Sequence, residues 1–490
     1  MFEAAELGHE ISKAAYDKEV PAIRAGLLEA QGLLREAKIP LILIVSGADG
    51  AGKSETVNRL HEWFDPRGLE TNVFGPLSDE ERDRPPYWRF WMSLPPRGRV
   101  GMFFGSWYTD PIIQRTYREI GGAEFDRSLS RIEFFEQQLA QDGALIVKLW
   151  LHLSKKAQKK RLTRLESDPK TRWRVSPLDW KHFKLYDRFV EYSEAALQRT
   201  DTGFAPWTVI EAADDRYREI AVGRTLLDAI SKRLAAQKPA PVKVAKAVPP
   251  PDIVSVLDRV DLARSLTDRD YDRKLASLQG RLNRLSRAAW EKKVSNVLVF
   301  EGWDAAGKGG TIRRLTAAMD ARLYRVVPIA APTDEERARQ YLWRFWRHIP
   351  RAGRFTIFDR SWYGRVLVER VEGFASEDEW RRAYQEINDF EGQLGEQGAV
   401  VTKFWVHISK DEQLRRFKER QKTDFKQYKI TDEDWRNRKQ WEAYEEAINE
   451  MVVRTSTRES PWVIVAGNDK KFARIQVLET VCRRLEKALG

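Results

Sequence analysis

Cysteine is almost missing from this chain. Cys482 is the only one in 490 residues, so no intramolecular disulfide can form and a thiolate metal cluster is excluded. A reducing cytoplasm is the expected setting. Histidine is scarce too, with six residues and no His-rich metal spacing. No apolar run approaches the roughly 18 residues of a membrane span, and mean hydropathy is -0.57, so no membrane partner is expected. The opening MFEAAELGHE is acidic and carries no basic-then-apolar leader, which predicts no secretion signal. Acidic charge is outnumbered: 85 Lys and Arg face 73 Asp and Glu, for a formal net charge of +12. That balance favours an anionic partner, whether nucleic acid, anionic lipid or a phosphate-rich small molecule, without choosing among them.

What the chain does have is a repeat. GADGAGK at Gly47–Lys53 matches GWDAAGK at Gly302–Lys308, and WRFW at 88–91 returns at 343–346, both at an offset of 255. Ser106-Trp107-Tyr108 and Ser361-Trp362-Tyr363 keep the same offset, as do KLWLHLS at 148–154 and KFWVHIS at 403–409. So constant an offset means duplication with almost no insertion. Between the halves lies a stretch rich in Pro, Ala and Lys, read as an extended linker. The expected organisation is an amino-terminal domain at 1–235, a linker at 236–252 and a carboxy-terminal domain at 253–490.

Each half opens with a helical pattern, then a short β-branched run ending in glycine, LILIVSG or NVLVFEG. Further apolar runs alternate with helical stretches. The pattern predicts an α/β fold in which each half is a parallel sheet flanked by helices. His152 and His407 fall on strand patterns and are read as core residues rather than ligands.

The segment Gly302 to Lys308 follows a strand and opens a helix, the context in which a glycine-rich loop binds phosphate. Small residues let backbone N–H groups close around phosphate oxygens, with the lysine reaching the outer phosphates. Gly302, Gly307, Gly309 and Gly310 are the expected loop glycines. The usual motif continues with Ser or Thr, whose hydroxyl meets Mg²⁺; here Gly309 stands in that place and Ser54 in the first half. By this loop alone the first half is the better nucleotide site. A second motif reverses that ranking. FTIFDRS ends a predicted strand with Asp359, a carboxylate placed to hold a divalent cation between phosphates. Arg360 beside it can neutralise a moving phosphoryl group. The first half has Phe104 and Gly105 at these positions, and phenylalanine ligates no metal.

With GWDAAGKGGTIRRL, PTDEERARQYLWRFWRHIP, FDRSWYGRVLVERVEGF and KFWVHISKDEQLRRFKER in view, the chain resembles the polyphosphate kinase 2 family over nearly its whole length. The resemblance implies two tandem P-loop kinase-like domains, similar to thymidylate kinase, each with a helical lid. It implies transfer from inorganic polyphosphate to a nucleotide with Mg²⁺, or Mn²⁺ in its place. Fused two-domain members are generally polyphosphate:AMP phosphotransferases forming ADP. The family's loop has glycine after the lysine, which accounts for Gly309. Asp304, Lys308, Asp359 and Arg360 inherit functional roles, Asp304 either orienting the attacking AMP oxygen or sharing the metal with Asp359.

The lid is expected on a helix opened by a Ser409/Glu412 capping box, with Arg416 and Arg420 on one face. Arg420 has Leu165 as its counterpart and Arg365 has Asp110. Arg313, Arg314 and Arg370 are further candidates for a polyanion path, and Arg344 is a weaker one. The first half thus reads as a catalytically degenerate domain retaining its packing residues. Three rivals remain at this point. One is ADP as acceptor, giving ATP; another is an ATP-dependent nucleoside monophosphate kinase. The third is a nucleic-acid-binding P-loop protein, disfavoured by the complete Asp359-Arg360 pair and the lid. Chain-length preference, base selectivity and oligomeric state, homo-oligomer included, are left open.

Overall fold

The two glycine-ended apolar runs become the central strands of two parallel sheets. The computed structural model describes residues 1–236, 255–422, 430 and 432–490; apart from Ala236, the linker expected at 236–252 lies outside the described residues. The amino-terminal sheet contains β1 (Leu41–Gly47), β2 (Leu69–Val73), β3 (Val100–Phe104), β4 (Leu145–His152) and β5 (Trp207–Glu211). The carboxy-terminal sheet contains β6 (Asn296–Gly302), β7 (Tyr324–Pro328), β8 (Phe355–Asp359), β9 (Val400–His407) and β10 (Trp462–Ala466). The strand orders are β2-β3-β1-β4-β5 and β7-β8-β6-β9-β10, so the two halves share one topology. The chain divides into two compact units, and both have the α/β, P-loop-kinase-like architecture expected from the sequence.

β1 is buried on both faces, which is why its sequence does not alternate. Leu41, Leu43 and Val45 pack with Ile23, Leu27 and Leu34 of helix Lys13–Glu36 and with Leu226 and Ile230 of helix Asp215–Ala235. Ile42 and Ile44 turn to the opposite face by the two-residue period. Ile44 pairs in register with Phe103, whose ring meets Trp107 edge-on at 5.5 Å, and Trp107 meets Phe135 at 5.0 Å. In the carboxy-terminal half the same layer is Phe358, Trp362 and Phe390, at 5.3 and 4.8 Å.

This layer explains the duplicated Ser-Trp-Tyr. Lys403 is fully buried on β9 and donates to Glu391 at 2.7 Å, Tyr363 at 2.9 Å and the Thr455 carbonyl at 2.6 Å. Trp362 and Tyr363 both donate to the other oxygen of Glu391, at 3.1 and 2.7 Å. The amino-terminal half repeats the network with Lys148, Glu136, Tyr108, Trp107 and the Thr200 carbonyl. A buried ion pair survives only with its remaining lone pairs satisfied, so this element is retained for packing.

The topology also fixes where a ligand can bind. β6 lies between β8 and β9, and Phe300 pairs with Asp359 while Gly302 pairs with Val406. The strand order reverses at β6, so a crevice opens at the carboxyl ends of β6 and β8. Among the described residues no helix is long and apolar enough to cross a membrane.

Candidate active site

The loop leaves β6 through Gly302 at φ +144°, where an added Cβ would lie 2.5 Å from the Val406 carbonyl oxygen. Glycine is therefore required there on two counts. Trp303 stacks on Trp441 at 3.6 Å and donates to His407 Nδ1 at 3.1 Å. His407 is a buried core residue, as the strand pattern predicted, and burial pushes its imidazole down to about 4. Lys308, at the start of helix Lys308–Thr316, folds back to donate to the Gly302 carbonyl at 2.6 Å and the Trp303 carbonyl at 3.3 Å. Burial, and then the neighbouring Arg360 guanidinium, hold its ammonium below the ordinary lysine value. The first-turn N–H groups of that helix have no intrahelical partner and face the positive end of its dipole toward an anion.

A cavity of about 420 Å³ opens over the loop. Asp304, Gly307, Lys308, Gly309, Gly310, Arg313, Asp359, Arg360 and Arg420 all line it, so the structure brings together most of the residues picked from the sequence. Arg360 donates to Asp304 Oδ1 at 2.8 Å, and Asn437 donates to Asp304 Oδ2 at 3.1 Å. Gly309 leaves room beside the acid: a Cβ there would stand 3.9 Å from Asp359 Oδ2. Arg360 itself adopts φ +66°, a left-handed conformation costly for any residue with a Cβ and of the kind that gathers at functional sites.

Several expected contacts are placed elsewhere. Gly302 does not line this cavity but a smaller one adjoining it. Arg416 is buried under the loop. It donates to the carbonyls of Ala305, Ala306, Gly467 and Asn468 at 2.7–3.0 Å and to Glu412. It holds the loop's shape and leaves no donor for polyphosphate. Arg314 turns back to the Gly310 carbonyl at 3.3 Å. Arg344 donates to the Ala330 carbonyl at 3.0 Å. Arg365 pairs with Glu369 at 3.1 Å and lies over the Tyr341 ring. Arg370 joins Glu450 at 2.7 Å and Tyr384 at 2.9 Å, against the Trp380 ring. None of these five, Arg416 included, lines the cavity. The lid helix Lys410–Gln421 opens on Ser409, which accepts from the Glu412 N–H at 3.2 Å. Only half of the expected capping box forms. Glu412 is drawn to Arg415 and Arg416, and the Ser409 N–H donates to Asn468 at 3.0 Å instead.

Four cavity or near-cavity residues escaped the sequence reading. Glu433, Asp434 and Asn437, on helix Asp432–Lys439, line the wall opposite the loop; their residue types carry no local signature. Glu301, buried at the end of β6, accepts from Ser361 at 2.7 Å. Burial pushes its carboxyl up against the pull of Ser361, Lys308 and Arg360. An acid one residue before the loop glycine was the available signal, since the first half has Ser46 there.

In the first half Lys53 takes the posture of Lys308, donating to the Gly47 carbonyl at 2.7 Å and the Ala48 carbonyl at 3.2 Å. His182, the counterpart of Asn437, bonds Asp49 at 2.7 Å. Burial pushes the Asp49 carboxyl up, but His182 and the Lys53 ammonium outweigh it and bring it down to about 2. Gly105 adopts φ +75°, the conformation that Arg360 bears with a side chain.

Against known proteins, the family model described as Polyphosphate kinase 2 matches residues 10–238 and again 265–489. A polyphosphate:AMP phosphotransferase of Pseudomonas aeruginosa is 53% identical over 100% of this chain and 99% of its own length. One of Acinetobacter johnsonii is 38% identical over 94% of this chain and 95% of its own. A crystal structure from Pseudomonas aeruginosa, named for polyphosphate kinase 2, superposes with a TM-score of 0.91 at 51% identity, covering 100% and 99% of the two chains. A two-fold match to one family model, a phosphate loop facing an acid across a parallel sheet, and relatives similar from end to end have one reading: the chain belongs to the polyphosphate kinase 2 family.

Proposed function

We propose that this enzyme moves the terminal phosphoryl group of inorganic polyphosphate onto AMP, giving ADP, and that the chemistry is done by the carboxy-terminal domain. The observation that carries the domain assignment is convergence: Asp304, Lys308, Asp359, Arg360 and Arg420 line one cavity. Donor and acceptor rest on the relatives named polyphosphate:AMP phosphotransferase that match end to end.

In this scheme Lys308 and the N–H groups at the start of its helix receive the polyphosphate end. A phosphate oxygen of AMP attacks the terminal phosphorus as the bond to the penultimate phosphate breaks; polyphosphate shortened by one unit leaves. The attacking oxygen is ionised near neutral pH, so no general base is needed. Arg360 and Arg420 stabilise the charge spread over the equatorial oxygens, and Asp304 orients Arg360. The protein's part is positioning and charge. Asp359, aided by Asp304, suits Mg²⁺, which when bound would neutralise charge between adjacent phosphates. Among the described residues no group of three or more His, Cys, Asp or Glu could hold a metal. Asp359 and Asp304 would hold Mg²⁺ through one or two carboxylates, with phosphate and water supplying its other oxygen ligands.

The test is an acceptor panel with polyphosphate as sole donor. ADP formed from AMP, with no product when ATP replaces polyphosphate, supports the reading; ATP formed from ADP as the faster reaction shifts the acceptor. Salt-sensitive oligonucleotide binding without AMP consumption would point to the nucleic-acid rival. Lys308→Ala should abolish turnover while Lys53→Ala leaves most of it, and equal losses would overturn the domain assignment.

A further inference from the structure

The amino-terminal site has lost charged groups from its walls. Where the catalytic cavity presents Asp359, Arg360 and Glu433, and the small cavity adjoining it presents Tyr444, the equivalent positions hold Phe104, Gly105, Leu178 and Phe189. The result is a cavity of about 570 Å³, larger than its catalytic counterpart. Phe74, Phe104, Ile112, Ile113, Leu178 and Phe189 form its walls. Charged wall groups have been lost while the loop and its lysine stay built, although Thr109 and Thr116 replace Gly364 and Val371. Lys53 reaches the cavity floor beside Asp49, 3.6 Å away, and His182 caps Asp49 from the other side. With Asp49 shared by two basic groups, Lys53 can take one anionic group. Among the described residues a polyanion finds no second lysine or arginine on the cavity wall, since Arg360 and Arg420 correspond to Gly105 and Leu165. A concave, mostly apolar cavity with one cationic side chain among a few polar groups has the form of a small-molecule site.

We propose that this cavity is a ligand site distinct from the catalytic one, which takes a small molecule with an apolar aromatic or acyl body and one anionic head on Lys53. The head, whether carboxylate, sulfonate or phosphate monoester, meets the lysine, and the body lies against Phe104, Phe189 and Ile112. A nucleotide fits less well because its base and ribose would bury hydrogen-bonding groups against hydrocarbon.

The probe is 1-anilinonaphthalene-8-sulfonate, an aromatic body with one sulfonate, titrated by fluorescence into the full chain. We expect one saturable site per chain, at least tenfold weaker in Lys53→Met. A loss is also expected in Leu178→Glu, which sets a carboxylate at the mouth; Leu178 is 53% exposed, so that variant keeps the test open should Lys53→Met unfold. Decanoate should displace the dye at lower concentration than AMP does. Equal binding by wild type and both variants, or no saturable binding, would overturn the site. Displacement by AMP ahead of decanoate would overturn the ligand class and mark a nucleotide site instead.

Discussion

Arg360 carries two demands that conflict. Its guanidinium belongs in the cavity, paired with Asp304, while its backbone sits where glycine is at ease. Replacing it by glycine relaxes the backbone; replacing it by alanine does not. Arg360→Gly should therefore be more stable than Arg360→Ala by about 1 kcal/mol, with both variants losing turnover by about 10³-fold. Thermal unfolding and an ADP assay on the pair check this. Asp359→Asn keeps the volume and removes the charge. Turnover of AMP with polyphosphate should fall at least about 100-fold, and an unchanged rate would refute the metal-site reading. Arg416 and Arg420 illustrate what residue types alone cannot tell. Both were legible as lid arginines on one helix face, yet Arg416 is consumed by four backbone carbonyls and only Arg420 reaches the cavity. Which arginine meets substrate depends on where the loop after β10 passes, a long-range fact without a local signal.

The elements themselves were largely readable. Apolar runs ending in glycine gave the central strands, and the acid ending β8 announced its own position. The strand order is what makes β8 the neighbour of β6, and no spacing in the chain declares it. Glu433 and Asn437 were missed for the same reason: a polar helix looks alike whether or not it roofs a site. Two predictions belong at this scale. Lys403→Met leaves Glu391 without its cation at a site closed to water. It should cost about 3–5 kcal/mol, seen as a lowered unfolding midpoint, whereas Lys308→Ala should cost far less. His407, held at about 4 by burial, is depressed relative to its unfolded value near 6.5. The folded state prefers it neutral, so its contribution is whole above pH 6.5 and lost as pH falls toward 4. The total is on the order of 3 kcal/mol. His407→Asn offers Trp303 an acceptor that does not titrate, and its melting temperature should fall less than wild type's between pH 7 and pH 5.

At the scale of the whole chain, a formal charge of +12 faces a polyanionic donor. Raising NaCl from about 50 to 500 mM, which shortens the Debye length to a few ångströms, should raise KM for polyphosphate well above any change in KM for AMP. A KM for polyphosphate indifferent to salt would show that contacts inside the cavity alone set its affinity. The repeat makes the two halves comparable position by position, and one comparison reaches beyond the charged residues. Under the amino-terminal loop a Cβ on Gly52 would fall 2.2 Å from Arg218 Nη1. Arg218 comes from helix Asp215–Ala235, and its carboxy-terminal counterpart is Ala473. The first half keeps Arg161 at the position of Arg416, and there it pairs with Asp215 at 3.0 Å. Two guanidinium groups thus already share one carboxylate in that half. An acid returned to position 104 would therefore face a loop seated on a different arginine from the one beneath Gly307, and the acid by itself should not give this half turnover.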